Sequence, residues 1–396
     1  MSRIIESMYW YPLSFMRDSS KRSGKASLIE MQALSAPALK ALSAPFGVKA
    51  LSAPFLGGER VGWGGGRSGF RAAARIFMSQ PGMIAGTGAA AWHDRQARRF
   101  SMRTVGMIGL GAMGAPMARN LLRHGFTVRG FDIRNDASAA LARDGGIAAI
   151  SPAEAASGAE ALVLMVVNAA QAEQVLFRDD ALSALPENAV VILMATSSPK
   201  AVAAIAAKVV QSGRQFLDCP VSGGTGGASA GTLTMMAAGA EAAFQAARPL
   251  LEAIGDKLFH VGTRPGQGAV VKTVNQLLCG VHIAVCAEAV ALASRLDVDP
   301  QILLKIVSNS AASSWMLRDR GPRMLEATPE VASAVDIFVK DLGLVLEAGR
   351  DAKAALPLAA AAHQMFLATS GRGDGGADDS QVIRSYHLLN GTATDH

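Results

Sequence analysis

From Thr104 onward, short apolar and β-branched runs, TVGMI, TVRGF, ALVLMVV and VVILM, alternate with stretches of helix formers, AMGAPMARNLLRHG, ASAALARDGG, AAQAEQVLF and PKAVAAIAAKVVQSG. Glycines sit at several helix stops and Pro199 stands near a start, as helix ends require. Strands and helices in regular alternation are βαβ units, which stack into a parallel sheet with helices on its faces. Near Gly268 the alternation ends. Residues 268–296 form one long apolar pattern through Val271, Val274, Leu278, Val281, Val285 and Ala289, predicting a buried helix too polar to span a membrane. Helical segments joined by the breaks LDVDP, ATPE and GRGDGG follow through Leu389. The predicted fold is α/β, a Rossmann-type doubly wound parallel sheet over residues 103–264, followed by an all-helical domain over residues 265–392 built on that one long buried helix.

Residues 1–102 have no sustained period. KALSAPF occurs at 40–46 and again at 49–55, and GWGGGRSG fills 62–69, so the segment is expected to be a low-complexity, disordered leader. It holds 14 Lys and Arg against 5 Asp and Glu, whereas the rest of the chain holds 24 against 27. The basicity therefore belongs to the leader, and the globular part carries no electrostatic footprint for nucleic acid. An Arg-rich, acid-poor leader could address the mitochondrial matrix, although such segments are amphipathic and usually shorter. A third reading starts the protein at Met102, directly before the first strand. The cytoplasm is the expected location and the matrix the alternative.

Composition narrows the class further. With 396 residues, half of them apolar and 18% charged, the chain can bury a sizeable core without covalent staples. Strand-like apolar runs such as ALVLMVV at 161–167 fall far short of the ~20 residues that cross a bilayer, so no membrane partner is expected. Cys219, Cys279 and Cys286 form no CxxC pair, which argues against a disulfide framework, and no metal site is expected.

Three motifs bear on chemistry. GLGAMG (Gly109, Leu110, Gly111, Ala112, Met113, Gly114) follows the strand TVGMI and opens a helix. Gly109 would permit a tight turn, Gly111 close approach of a pyrophosphate, and Gly114 tight helix packing, with free amides facing the anion. Asp132 ends the second strand, where a carboxylate suits the ribose hydroxyls of NAD and repels the extra phosphate of NADP. Arg134 could instead grip that phosphate, or pair with Asp132 in a solvated loop, so NAD is expected with NADP as the alternative. The second motif, LDCPVSGGTGGASAGTLTMMAAG at 217–239, is a strand end, a glycine-rich loop and an apolar strand. Amides at Ser222, Gly223 and Gly224, with the Ser222 hydroxyl, would cradle a carboxylate unless the loop is only a flexible connection. The third, GAVVKTVNQLL, places Lys272 and Gln276 four residues apart on one helical face. A lysine inside an apolar helix is either working, with its pKa lowered by burial, or snorkelling to the helix end.

In this order and spacing, GLGAMGAPMARNL, DCPVSGG, GAVVKTVNQ and FVKDLGL at 338–344 resemble the β-hydroxyacid dehydrogenase family, over residues 103 to about 390. The resemblance implies an active site between the two domains, with Lys272 as general acid/base. It implies substrate contacts at Ser222, Gly223, Gly224, Gln276 and Asn275, and cofactor contacts at the GLGAMG loop, Asp132, Thr196 and Lys340, the last followed by Asp341 in a KD pair. Two positions depart from the family pattern: Gln276 stands where asparagine is frequent, with Asn275 one residue earlier, and Ala195 replaces a serine before Thr196. Finer texture, in LVLMVVNAAQAEQVLF, SSWML and SAVDIFVKDLGL, is most similar to the branch that oxidises L-threonate. The implied reaction is hydride transfer between NAD and a small hydroxy acid, L-threonate giving 2-oxotetronate. Oxidation of 3-hydroxyisobutyrate or reduction of tartronate semialdehyde are the alternative enzymatic readings, and a non-catalytic dinucleotide-binding protein the alternative of another class. The resemblance also implies a homodimer or homotetramer in which helical domains pack together.

Overall fold

The computed structural model describes residues 103–391. The leader expected over 1–102 lies outside the described residues. The strands are β1 (Thr104–Ile108), β2 (Thr127–Phe131), β3 (Ile147–Ala148), β4 (Ala161–Leu164), β5 (Val190–Leu193), β6 (Gln215–Asp218), β7 (Val221–Ser222), β8 (Thr234–Gly239) and β9 (Lys257–Gly262). They form one sheet in the order β3-β2-β1-β4-β5-β6-β8-β7, with β9 against β8. The helices among them are α1 (Gly114–Arg123), α2 (Asn135–Arg143), α3 (Pro152–Ala156), α4 (Ala169–Glu173), α5 (Ala181–Ala184), α6 (Pro199–Gln211), α7 (Gly224–Ala230) and α8 (Glu241–Ile254).

The four strands read from apolar runs are β1, β2, β4 and β5, and each pairs in parallel, Val105 with Val128 and Val105 with Ala161 for instance. Residues of β4 and β5 are buried without alternation because helices cover both faces of the sheet. β1 lies between β2 and β4 while the chain runs outward on both sides, so a crevice opens beyond its carboxyl end, at the topological switch point. The GLGAMG loop leaves β1 there.

Beyond β6 the sheet stops being parallel. β8 runs antiparallel to both β6 and β7, a change of direction that apolar runs cannot signal. The glycine-rich stretch after Ser222, read as a loop, contains α7. Glycine is a poor helix former, and tertiary contact makes up the difference: Asn120 Nδ2 on α1 donates to the Ala228 carbonyl at 2.8 Å, and Ala228 is buried.

The second part consists of α9 (Gln267–Arg295), α10 (Pro300–Val307), α11 (Trp315–Arg323), α12 (Val335–Asp351), α13 (Pro357–Thr369) and α14 (Ile383–Leu389). Its core joins Ile283, Ala287 and Val290 of α9 to Phe338 and Leu342 of α12 and Phe366 of α13, with the two phenyl rings stacked 5.2 Å apart. Gly280 lets the helices close up, since a Cβ there would come within 2.8 Å of Leu342. α9 departs from expectation in two ways. Its mean hydropathy over the most apolar stretch is 1.9, enough by length and composition to cross a membrane, so the expectation that it is too polar for that does not hold. Nor is it buried all round. Val271, Val274, Leu278, Val285 and Leu292 are 39–56% exposed, and the side facing the core is built mostly from Gly and Ala. Of the large apolar residues that suggested burial, Val271, Val274, Leu278 and Val285 lie on the other side, whereas Val281 packs against the core.

Candidate functional site

At the end of β1, Gly109 has φ +91 and its amide donates to Phe131 at 2.9 Å. A Cβ there would lie 2.3 Å from the Met165 carbonyl, so the turn admits glycine alone. Gly114 packs the helix start on the same turn, a Cβ falling 1.9 Å from the Gly109 carbonyl, while the space around Gly111 is open. Leu110 is buried, and its amide donates to Asp132 Oδ2 at 2.7 Å. That N–H is committed to holding the carboxylate rather than to a bound phosphate. Asp132 Oδ1 accepts from the Arg134 amide at 2.9 Å and lies 3.4 Å from Arg134 Nε. Asp132 and Arg134 thus pair with each other at the mouth of the crevice, with Asp132 anchored and Arg134 exposed.

Two cavities, of about 420 and 490 Å³, share Gly111, Ala112, Met165, Val166 and Val167. The first reaches Asp132 and Arg134. The second is lined by Met113, Gly114, Thr196, Ser222, Gly223, Gly224, Lys272, Gln276 and Lys340. The continuous cleft, with an open backbone at Gly111 and a carboxylate at one end, fits an extended dinucleotide with its pyrophosphate over the start of α1. Residues separated by up to 230 positions in sequence, from Gly111 to Asp341, are brought to one cavity.

Lys272 does not snorkel. It is 7% exposed, and burial pulls its ammonium below the ordinary lysine range, helped by Lys340 and opposed by Asp341 and Cys279. Asp341, 2% exposed, accepts from Lys340 Nζ at 2.6 Å and from Gln276 Nε2 at 2.5 Å. Lys340 Nζ also donates to the Thr196 carbonyl at 3.3 Å, linking α12 to the loop after β5. One carboxylate thus faces two lysines and is bonded to Lys340, which leaves Lys272 free to hold or lose a proton. Asn275 is not among the residues lining the cleft. Its Nδ2 donates to Gln276 Oε1 at 3.0 Å and to Cys279 Sγ at 3.4 Å, so of the two neighbouring amides Gln276 faces the cavity and Asn275 supports it.

The two sides of the cleft are tied together by Asp218 at the end of β6. Its Oδ2 accepts from the amides of Gly266 and Ala269 at 2.9 Å each, capping α9 one turn before Lys272. Burial pushes this carboxyl up to about 6, against the pull of the amides of Ala269, Gly266 and Gly268. Motif reading did not single out Asp218, although it opens DCPVSGG, because the distant amides it caps are invisible to spacing. Arg320 and Cys279, both lining the cleft, were missed for the same reason.

Similarity to known proteins agrees with this geometry. Residues 104–262 match the NAD binding domain of 6-phosphogluconate dehydrogenase, and residues 266–386 match the family described as NAD-binding of NADP-dependent 3-hydroxyisobutyrate dehydrogenase. An L-threonate dehydrogenase of Cupriavidus necator is 45% identical over 285 residues, covering 72% of this chain and 96% of that protein. Another, from Pectobacterium atrosepticum, is 40% identical over 292 residues, covering 73% and 96%. Among solved structures, a 3-hydroxyisobutyrate dehydrogenase of Salmonella typhimurium superposes with a TM-score of 0.68 at 41% identity, covering 71% of this chain and 99% of that one.

Proposed function

Since the chain belongs to the β-hydroxyacid dehydrogenase family and is an NAD(P)-dependent dehydrogenase of small hydroxy acids, we propose that its reaction is oxidation of L-threonate at C2 to 2-oxotetronate, with NAD. The observation that carries the reading is the buried Lys272, set in one cavity with the Ser222–Gly224 amides and the glycine-rich loop. Bound NAD supplies the hydride acceptor. The amides of Ser222, Gly223 and Gly224 hold the substrate carboxylate, and neutral Lys272 takes the hydroxyl proton as the C2 hydride departs. Gln276, its Nε2 anchored on Asp341, positions the hydroxyl. Lys340 braces the cofactor side through Thr196. Relatives named L-threonate dehydrogenase support the substrate, and Asp132 supports NAD over NADP. The solved relative named for 3-hydroxyisobutyrate keeps that acid as the second reading. Initial rates on L-threonate, D-threonate, D-erythronate, 3-hydroxyisobutyrate and tartronate semialdehyde, each with both cofactors, test the assignment. A higher kcat/KM for 3-hydroxyisobutyrate than for L-threonate sinks it.

Three further parts belong to this reading. The division into a cofactor domain over 103–264 and a helical domain over 265–392 is supported by the two family matches, which meet near residue 264. A homodimer or homotetramer is supported by the exposed seam of α9, where Val271, Val274, Leu278, Val285 and Leu292 recur at heptad spacing. Leu278→Glu should lower the mass measured by analytical ultracentrifugation, and a wild type sedimenting as a monomer removes the idea. A cytoplasmic location is supported by bacterial relatives, and nothing among the described residues supports the mitochondrial alternative.

A further inference from the structure

The far wall of the cleft carries a charge that hydride transfer does not use. Cys279, Trp315, Met316 and Phe338 there would suit an apolar tail, yet Arg320 of α11 lines the same cavity and is only 5% exposed. Burying a guanidinium is costly unless it is paired. Asp379 takes Nε at 2.5 Å and Nη2 at 3.1 Å, and Asp319 takes Nη1. A guanidinium has five N–H groups, so one remains on each of Nη1 and Nη2 after these bonds. Arg323 lies 3.3 Å from Asp378 and 3.7 Å from Asp319. The cluster therefore sets Asp319, Asp378 and Asp379 against Arg320 and Arg323, with more acid than base, and offers no net attraction to a second anion.

On α9, Lys272, Gln276 and Cys279 follow one another along one face, advancing about 1.5 Å per residue. A substrate held by its carboxylate at Ser222–Gly224, with its reacting carbon at Lys272, directs the rest of its chain toward this wall. We propose that Arg320 is a specificity-determining residue that reads the substrate tail as neutral hydroxyls, through donors whose charge Asp379 and Asp319 have already compensated. The assignment rests on the hydroxy-acid reading above and deepens it: the preferred substrates are polyhydroxylated monocarboxylates. A tail lacking hydroxyls leaves buried donors unpaired, and a dicarboxylate meets an acidic cluster instead of a free cation.

The test uses the enzyme with NAD and three acids: L-threonate, 2-hydroxybutanoate, which lacks the tail hydroxyls, and tartrate, which adds a second carboxylate. Wild type should favour L-threonate over 2-hydroxybutanoate in kcat/KM by about 10- to 100-fold. Arg320→Lys keeps a cation for Asp379 but loses the forked donors, and should shrink that ratio about tenfold or more. A structural role would lower both rates together and leave the ratio intact, which overturns the proposal. So does a wild type that oxidises tartrate as well as L-threonate. Should Arg320→Lys fail to fold, Asp319→Asn keeps the donor and removes one compensating charge from a partly exposed site, so tartrate should improve severalfold relative to L-threonate. An unchanged tartrate ratio also counts against the idea. Preference for another polyhydroxy acid refutes L-threonate alone, whereas preference for an acid with an apolar tail refutes Arg320.

Discussion

The two ends of the cleft hold charge in opposite ways. At the cofactor end, recognition rests on backbone: an open glycine turn, the first amides of α1 and one anchored carboxylate, Asp132, beside an exposed Arg134. At the substrate end the Ser222–Gly224 amides are joined by buried side chains, Lys272, Gln276, Asp341 and Arg320, each 7% exposed or less. Backbone amides are fixed by the fold and present the same dipoles at any working pH. Buried ionisable groups change protonation state with their surroundings, which suits them to moving a proton but makes each dependent on its neighbours. Recognition is thus rigid where the cofactor is gripped and tunable where chemistry occurs.

If that contrast is correct, substitutions at the substrate end should change rates and pH profiles, and those at the cofactor end should change affinity. Lys272→Ala should lower turnover by ~10² to 10⁴ while leaving NAD affinity nearly intact. Lys272→Arg should not rescue it, because guanidinium stays protonated. Stopped-flow turnover with cofactor titration checks both, and near-wild-type turnover in either variant removes Lys272 from the mechanism.

Asp218 links the two ends, and its effect should appear in stability. Its folded-state value of about 6 lies above the ordinary 3.8. The stabilisation from this group is therefore fully present below about pH 4 and lost as pH rises through about 6. Relative to wild type, Asp218→Asn should gain roughly 3 kcal/mol between pH 4 and pH 7, measured by urea unfolding at each pH. A difference between the two proteins that does not vary with pH would show that the carboxyl is not shifted.

Asp341 opposes the lowering of the Lys272 value. Asp341→Asn should therefore move the acid-side limb of the oxidation profile, on which Lys272 loses its proton, to lower pH. A limb that stays put or moves up separates Asp341 from the proton-transfer group. The smallest effect is expected at the cofactor end. Asp132→Ala should cut the preference for NAD over NADP by about tenfold through KM for the cofactor, with kcat little changed. A wild type more efficient with NADP would show that Arg134 governs the choice.

Much of this was legible in the chain itself. The alternation of apolar runs with helix formers located β1, β2, β4 and β5, most plainly at β4 and β5, where strands covered on both faces need continuous apolar residues whatever their neighbours. GLGAMG was readable because each glycine answers a local constraint, such as the positive φ of Gly109 or the backbone contact at Gly114. Lys272 stood out as an ionisable group in an apolar helix. Tertiary structure alone decided the rest. Asp341 and Gln276 are 65 residues apart and Arg320 and Asp379 are 59 apart, and no local pattern announces a pair that long-range packing creates. The same holds for α9, where several apolar residues that look like core face outward and the buried side is built mostly of Gly and Ala beside Ile283 and Val290. Hydrophobicity along a sequence reports how much surface must be covered, whereas which side is covered, and by what, depends on the helices packed against it.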